Sequence, residues 1–174
     1  SGAGSELYTL ATAGNTLGLL NNYTTEGGPY GPQAVNWNVS NEGPAGTFHI
    51  TSVQSGLALD GGANTQGTLL QLYTPNTSAD QQWTVLPSGS GSSIVSVQSG
   101  LALDGGPNNS GTHPQMWVAN GTPDQQWVIQ PSGTGFSITS VQSHLVLDGG
   151  ENQVGVNPQM YGTNSSVDQQ WLFQ

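Results

Sequence analysis

The chain has 174 residues, enough for one domain with a packed core, yet only 6% of them are charged. It holds no Lys or Arg against ten Asp and Glu, a formal net charge of −10. Phosphate backbones and anionic lipid surfaces are gripped by Lys and Arg, so neither nucleic acid nor membrane is expected as a partner. There is no Cys to build a disulfide, a thiolate metal site or a thiol nucleophile.

In chain order, residues 1–43 come first and are irregular. Glu6-Leu-Tyr-Thr-Leu-Ala11, Thr16-Leu-Gly-Leu-Leu20 and Pro32-Gln-Ala-Val35 read as worn relatives of strands that follow. From Gly46 the chain becomes periodic. Phe48–Val53 alternates apolar and polar residues as a half-buried strand does. A Ser55-Gly56 turn leads to a second strand over Leu57–Leu59, and a glycine-rich loop from Gly61 to Gly67 to a third over Leu69–Tyr73. Trp83–Leu86 is the fourth. The same four strands return at Ile94–Val97, Leu101–Leu103, Gln115–Val118 and Trp127–Ile129, then at Phe136–Val141, Leu145–Leu147, Gln159–Tyr161 and Trp171–Phe173.

The repeat is strict. Ser52-Val-Gln-Ser-Gly-Leu-Ala-Leu-Asp60-Gly-Gly recurs from Ser96 and, with His144 and Val146 in place of Gly and Ala, from Ser140, and Asp80-Gln-Gln-Trp83 from Asp124 and Asp168, always 44 residues apart. A fixed period of this length marks one supersecondary unit that buries its apolar face only by stacking on its neighbours. No stretch has a helical period over ten residues, so helices should be few and short.

Three Gln-x-Trp motifs, each following a Leu-x-Leu-Asp and a Gln-x-aromatic, resemble the ricin B-type lectins and related carbohydrate-binding modules, over roughly residues 46–174. The resemblance implies an all-β fold, a β-trefoil of about twelve strands. Its domain would run over residues 44–174, in repeats of about 46–89, 90–133 and 134–174. Residues 1–43 would then be a degenerate β extension outside the barrel. It would pack against it, cap one end, or mediate association with itself or with a catalytic subunit.

Two sets of aligned polar residues are candidate site residues. Asp60, Asp104 and Asp148 each end an apolar strand ahead of Gly-Gly, and Tyr73, Trp117 and Tyr161 each end the third strand, with Gln71, Gln115 and Gln159 two residues earlier. Period-two geometry puts that Gln and the aromatic on one face. A carboxylate, an amide and an aromatic plane suit a neutral sugar: the carboxylate binds hydroxyls, the ring covers the pyranose C–H face and the amide orients it. The resemblance assigns those roles to Asp60/Tyr73, Asp104/Trp117 and Asp148/Tyr161. Against this, the Asp residues are also placed to cap Asx-turns, and the aromatics to seal the barrel. Gln81, Gln125 and Gln169 either satisfy backbone groups before the fourth strand or, as the resemblance implies, border the sugar.

Asp80, Asp124 and Asp168 stand where the resembled family usually has Asn. A second carboxylate per pocket would hold Ca²⁺ with loop carbonyls or would cap the turn before the fourth strand. Capping is the preferred reading, and no metal or cofactor is expected. His113 replaces Leu69 and Asn157 beside the second pocket; it is a candidate ligand contact there, though a surface loop His is the preferred reading. His144 replaces Gly56 and Gly100 in a turn.

Six Asn-x-Ser/Thr sequons, at Asn22, Asn38, Asn76, Asn108, Asn120 and Asn164, are candidate glycosylation sites. A start at Ser-Gly-Ala-Gly without Met suits a secreted, mature chain, so the expected location is extracellular. No catalytic constellation is visible, and the chain is not expected to be an enzyme. The expected function is multivalent binding of glycans or polysaccharide, galactose-type or related. The alternatives are a targeting module or non-catalytic subunit of a glycoside hydrolase and, more distantly, a β-trefoil protease inhibitor.

Overall fold

The computed structural model describes residues 43–174. The extension expected over 1–43 therefore lies, but for Gly43, outside the described residues, as do Asn22 and Asn38. The remainder is an all-β fold of twelve strands: β1 (Gly46–Ser52), β2 (Ala58–Asp60), β3 (Gln71–Tyr73), β4 (Gln82–Ser88), β5 (Gly91–Ser96), β6 (Ala102–Asp104), β7 (Gln115–Trp117), β8 (Trp127–Ser132), β9 (Gly135–Ser140), β10 (Val146–Asp148), β11 (Gln159–Tyr161) and β12 (Trp171–Phe173). The helical content is three single 3₁₀ turns, at Ala79–Gln81, Pro123–Gln125 and Val167–Gln169.

Six strands, β1, β4, β5, β8, β9 and β12, make the barrel of a β-trefoil, with three short hairpins attached. Register repeats with the sequence: Trp83 pairs Ser96 and Trp127 pairs Ser140 across the β4–β5 and β8–β9 hairpins, and Trp171 pairs Ser52. That last pairing closes the barrel between the two ends of the trefoil. No turn joins β12 to β1; the His49 N–H donates to the Gln174 carbonyl at 2.8 Å and the Gln174 N–H to the His49 carbonyl at 3.0 Å.

The core comes from one face of each strand. Trp83, Trp127 and Trp171 have no exposed surface, like Ile50, Ile94, Ile138, Leu59, Leu103 and Leu147. Burying an indole leaves its N–H in need of an acceptor. Each Trp finds one in its own repeat, donating to the carbonyl of Leu59, Leu103 or Leu147 at 2.9–3.1 Å.

The third strand of the first repeat is shorter than Leu69–Tyr73. Leu69 and Leu70 leave their own hairpin because their backbone pairs with the next lobe, Leu69 bridging Gln115 and Leu70 N–H reaching the Pro114 carbonyl. This exchange is cyclic. Gly67 and Thr68 bond the backbone of Met116, Gly111 and Thr112 that of Met160, and Gly155 and Val156 that of Leu72, at 2.7–2.8 Å. The φ of these three glycines is 80–83°, a left-handed conformation that a side chain resists.

A second cyclic tie runs through Asn64, Asn108 and Asn152, the fourth residue of each Asp-Gly-Gly-x-Asn loop counted after Asp, all with φ of 51–53°. Asn64 accepts from the Ser96 and Ser99 hydroxyls of the second lobe, Asn108 from Ser143 of the third, and Asn152 from Ser52 and Ser55 of the first. Each loop that follows a candidate Asp is thereby fastened to the neighbouring lobe.

Candidate functional site

The site repeats three times on the short hairpins. Antiparallel register pairs Asp60 with Gln71 and Ala58 with Tyr73, Asp104 with Gln115 and Ala102 with Trp117, and Asp148 with Gln159 and Val146 with Tyr161. Side chains two apart on a strand share a face, so carboxylate, amide and aromatic occupy one side. The residues between them, Leu59/Leu72, Leu103/Met116 and Leu147/Met160, fill the core.

Each carboxylate is buried, at 2–3% exposure, and is the hub of the same network. Asp60 Oδ1 accepts the Gly62 N–H at 2.7 Å and Gln71 Nε2 at 3.1 Å, while Oδ2 accepts Gln81 Nε2 at 3.0 Å. Asp104 does so with Gly106, Gln115 and Gln125, and Asp148 with Gly150, Gln159 and Gln169. The Asx-turn and the contact with the amide of the third strand thus coexist. A carboxylate offers about four lone-pair positions. Three are taken, and the one left, on Oδ2, has no donor among the described residues.

Gln81, Gln125 and Gln169 satisfy backbone groups before the fourth strand, as expected, and each also bonds the carboxylate. All three are buried. Besides its bond to Asp60, Gln81 donates to the Thr74 carbonyl and accepts the Asn76 N–H at 2.8 Å. Gln125 and Gln169 repeat this with Val118 and Asn120, and with Gly162 and Asn164. These amides hold the loop from third to fourth strand against the carboxylate. Gln71, Gln115 and Gln159 are only partly buried and donate through Nε2, leaving Oε1 without a donor among the described residues.

The aromatics differ in cover. Tyr73 and Tyr161 are 44% and 45% exposed, so neither seals the barrel. Trp117 is half-buried, and a side chain added at Gly67 of the first lobe would come within 3.8 Å of its ring. The second platform is therefore backed by a neighbouring loop.

Asp80, Asp124 and Asp168 lie inside the 3₁₀ turns and make none of the expected capping bonds, since no turn has a side-chain cap. Asp124 Oδ1 accepts the Thr122 hydroxyl, whereas Oδ1 of Asp80 and of Asp168 is buried without a partner. Among the described residues, no three His, Asp or Glu side chains gather as metal ligands would.

His113 departs most from its expected place. Its backbone lies beside Gly106 of the second pocket, but its Nδ1 is 2.9 Å from the Pro158 carbonyl of the third lobe. With Gly150, Glu151 and Gln159 it lines a cleft of about 310 Å³. Its side chain borders the third pocket, not the second.

Three sequons have a folding reason. Oδ1 of Asn76, Asn120 and Asn164 accepts the N–H two residues on, at 2.7–2.9 Å, an Asx-turn that leads into each 3₁₀ turn. All three side chains are exposed. Asn108 is 6% exposed and engaged with Ser143, leaving no room for a glycan on its amide.

The comparisons agree with the fold. No curated protein matches the chain. Among solved structures, the Rhizoctonia solani agglutinin is 26% identical with a TM-score of 0.65, the match covering 75% of this chain and 94% of that one. An exo-β-1,3-galactanase from Clostridium thermocellum is 25% identical with a TM-score of 0.68, over 76% of this chain but 30% of the enzyme. The Macrolepiota procera ricin B-like lectin, solved with lactose, shares the fold at 23% identity and a TM-score of 0.63, over 75% of this chain and 96% of the lectin. A family profile, the ricin-type β-trefoil lectin domain, matches residues 46–171. The chain therefore belongs to the ricin-type β-trefoil lectin domain family.

Proposed function

We propose that this chain is a secreted, multivalent lectin whose three lobe-related pockets take neutral, galactose-type sugars. The observation that carries the reading is the threefold carboxylate. Each is buried, each keeps one lone pair after three protein hydrogen bonds, and each shares a face with an amide and an aromatic ring. Hydrogen bonds to a charged acceptor are the stronger kind, and they gain from exclusion of water at the carboxylate. The aromatic supplies the apolar face that a pyranose C–H surface needs. Single sugars should bind weakly, and glycans that engage two or three pockets gain about 10²–10⁴-fold. Lactose in the Macrolepiota procera lectin supports the galactose-type reading.

A glycan array with Asp60→Ala, Asp104→Ala and Asp148→Ala, singly and combined, tests it. Each single variant should lower avid binding while keeping it detectable, and the triple variant should lose it. A folded triple variant that binds like the parent would show that the sites are elsewhere.

A second reading has support from the galactanase, of which the matched part is under a third. In that reading the chain targets a glycoside hydrolase to its polysaccharide. A catalytic domain encoded in the same gene, together with binding of this chain to the insoluble substrate, would favour it.

A further inference from the structure

We infer that the third pocket carries an added subsite for a glycosyl unit bearing a free, protonated amine. This rests on the carbohydrate reading above and concerns the neighbour of the sugar held by Asp148. The subsite is the cleft of about 310 Å³ lined by His113, Gly150, Glu151, Val156, Asn157 and Gln159. That is the lower end of the roughly 300–1,000 Å³ usual for small-ligand sites. Gln159 joins it to the pocket, since its Nε2 donates to Asp148 at 3.2 Å.

Its lining sets a carboxylate and an imidazole beside two side-chain amides. His113 Nδ1 lies 2.9 Å from the Pro158 carbonyl, which can only accept, so Nδ1 carries the hydrogen. In the neutral ring Nε2 is then left as a lone pair. Gln159 gives one amide N–H to Asp148 and keeps Oε1 and a second N–H. Asn157 likewise gives one amide N–H to the Leu70 carbonyl. Glu151 is exposed and makes no hydrogen bond or ion pair among the described residues, and the chain has no Lys or Arg to neutralise it. A carboxylate, an imine nitrogen and an amide oxygen call for a ligand rich in donors and positive in charge. An ammonium group has three donors and the charge. An acetamido group lacks the charge, and a carboxylated sugar would be repelled.

The residues that give this cleft its charge and its imidazole are peculiar to it. At the position of Glu151 the first two lobes have Ala63 and Pro107, and at that of His113 the other lobes have Leu69 and Asn157. Glu151 is the one acidic residue among those described that the 44-residue repeat does not supply.

The test uses the full chain carrying Asp60→Ala and Asp104→Ala, so that only the third pocket reports, in calorimetric titrations with lactose, N-acetyllactosamine and the deacetylated galactose–glucosamine disaccharide. The amine-bearing disaccharide should bind about tenfold more tightly than its acetylated form, and less so at high salt. Glu151→Ala should bring the ratio to about one while lactose binding stays as it was. His113→Asn keeps the bond to the Pro158 carbonyl, as Asn157 does with Leu70, and should lower the ratio in part. Ala and Asn stand at the equivalent positions elsewhere, so these two changes suit the fold, and circular dichroism checks that the chain carrying Asp60→Ala and Asp104→Ala is folded before it is titrated. Equal affinity for the amine and acetamido forms, with lactose still bound, overturns this inference alone. Failure to bind any of the three sugars overturns the carbohydrate reading as well.

Discussion

Asp104 shows how a single residue serves fold and site together. Its Oδ1 faces the Gly106 N–H and the Gln115 amide, and its Oδ2 the Gln125 amide. Asp104→Asn preserves shape but replaces one acceptor oxygen by an NH₂ that meets another donor. A buried donor without an acceptor costs about 1–3 kcal/mol. Denaturant unfolding should show that loss, and the second pocket should lose its sugar; an unchanged midpoint would mean the network tolerates a donor there. His144 shows the opposite case. It adopts φ of 59° where Gly56 and Gly100 adopt 69–70°, and a Cβ at either glycine would meet nothing within 4 Å. The conformation, not crowding, is then the cost. His144→Gly should stabilise the chain by about 0.5–1 kcal/mol, since the left-handed penalty of about 1–2 kcal/mol outweighs the added freedom of the unfolded glycine. A fall in the unfolding midpoint would show that the imidazole makes a compensating contact.

Among the elements, the loops that follow the carboxylates carry the ties between lobes. A Cβ at Gly149 would lie 2.4 Å from the Asn152 amide, which is buried and holds Ser52 and Ser55. Gly149→Ala should therefore displace Asn152 and destabilise by about 1–3 kcal/mol, as Asn152→Ala does by deleting it. Because both break one tie, the double variant should cost little more than either alone; additive losses in the double-mutant cycle would show two separate defects. These asparagines recur in the sequence at the 44-residue period, within Asp-Gly-Gly-x-Asn. Only Asn108 was conspicuous there, as a sequon, because the partners that explain them stand more than 30 residues away in another lobe. The same reason hid the true direction of His113 and shortened the third strand at Leu69. What was legible in order along the chain were the Trp anchors, the alternating strands and the grouping of Asp, Gln and aromatic. Those follow from period two and from a register set within one hairpin. Contacts that close a threefold circle are invisible to local spacing, and so was the way Asp60 caps its turn while binding two amides at once.

At the scale of the whole molecule, the balance of charge has an unusual sign. The seven acidic side chains among the described residues face no Lys or Arg anywhere in the chain. Where fold and charge usually interact through ion pairs, here the carboxylates of Asp60, Asp104 and Asp148 are held by neutral amides and backbone N–H groups. Those short-range bonds lie at buried atoms and are weakly screened. The like-charge repulsion among the remaining carboxylates acts over longer distances, and it opposes the compact state. The barrel must resist it with a closure that no turn ties, β12 against β1, supported by Phe173 packed edge-on to Phe48 and Phe136 at 5.6 and 5.5 Å. Added salt shortens the Debye length from about 30 Å at 0.01 M to about 10 Å at 0.1 M, which removes repulsion and breaks no attraction. The melting temperature should accordingly rise steadily with NaCl over that interval. Proteins stabilised by surface ion pairs move the other way or not at all, and a melting temperature that falls with salt would mean that cations bound between the carboxylates, not repulsion among them, govern the stability of the fold.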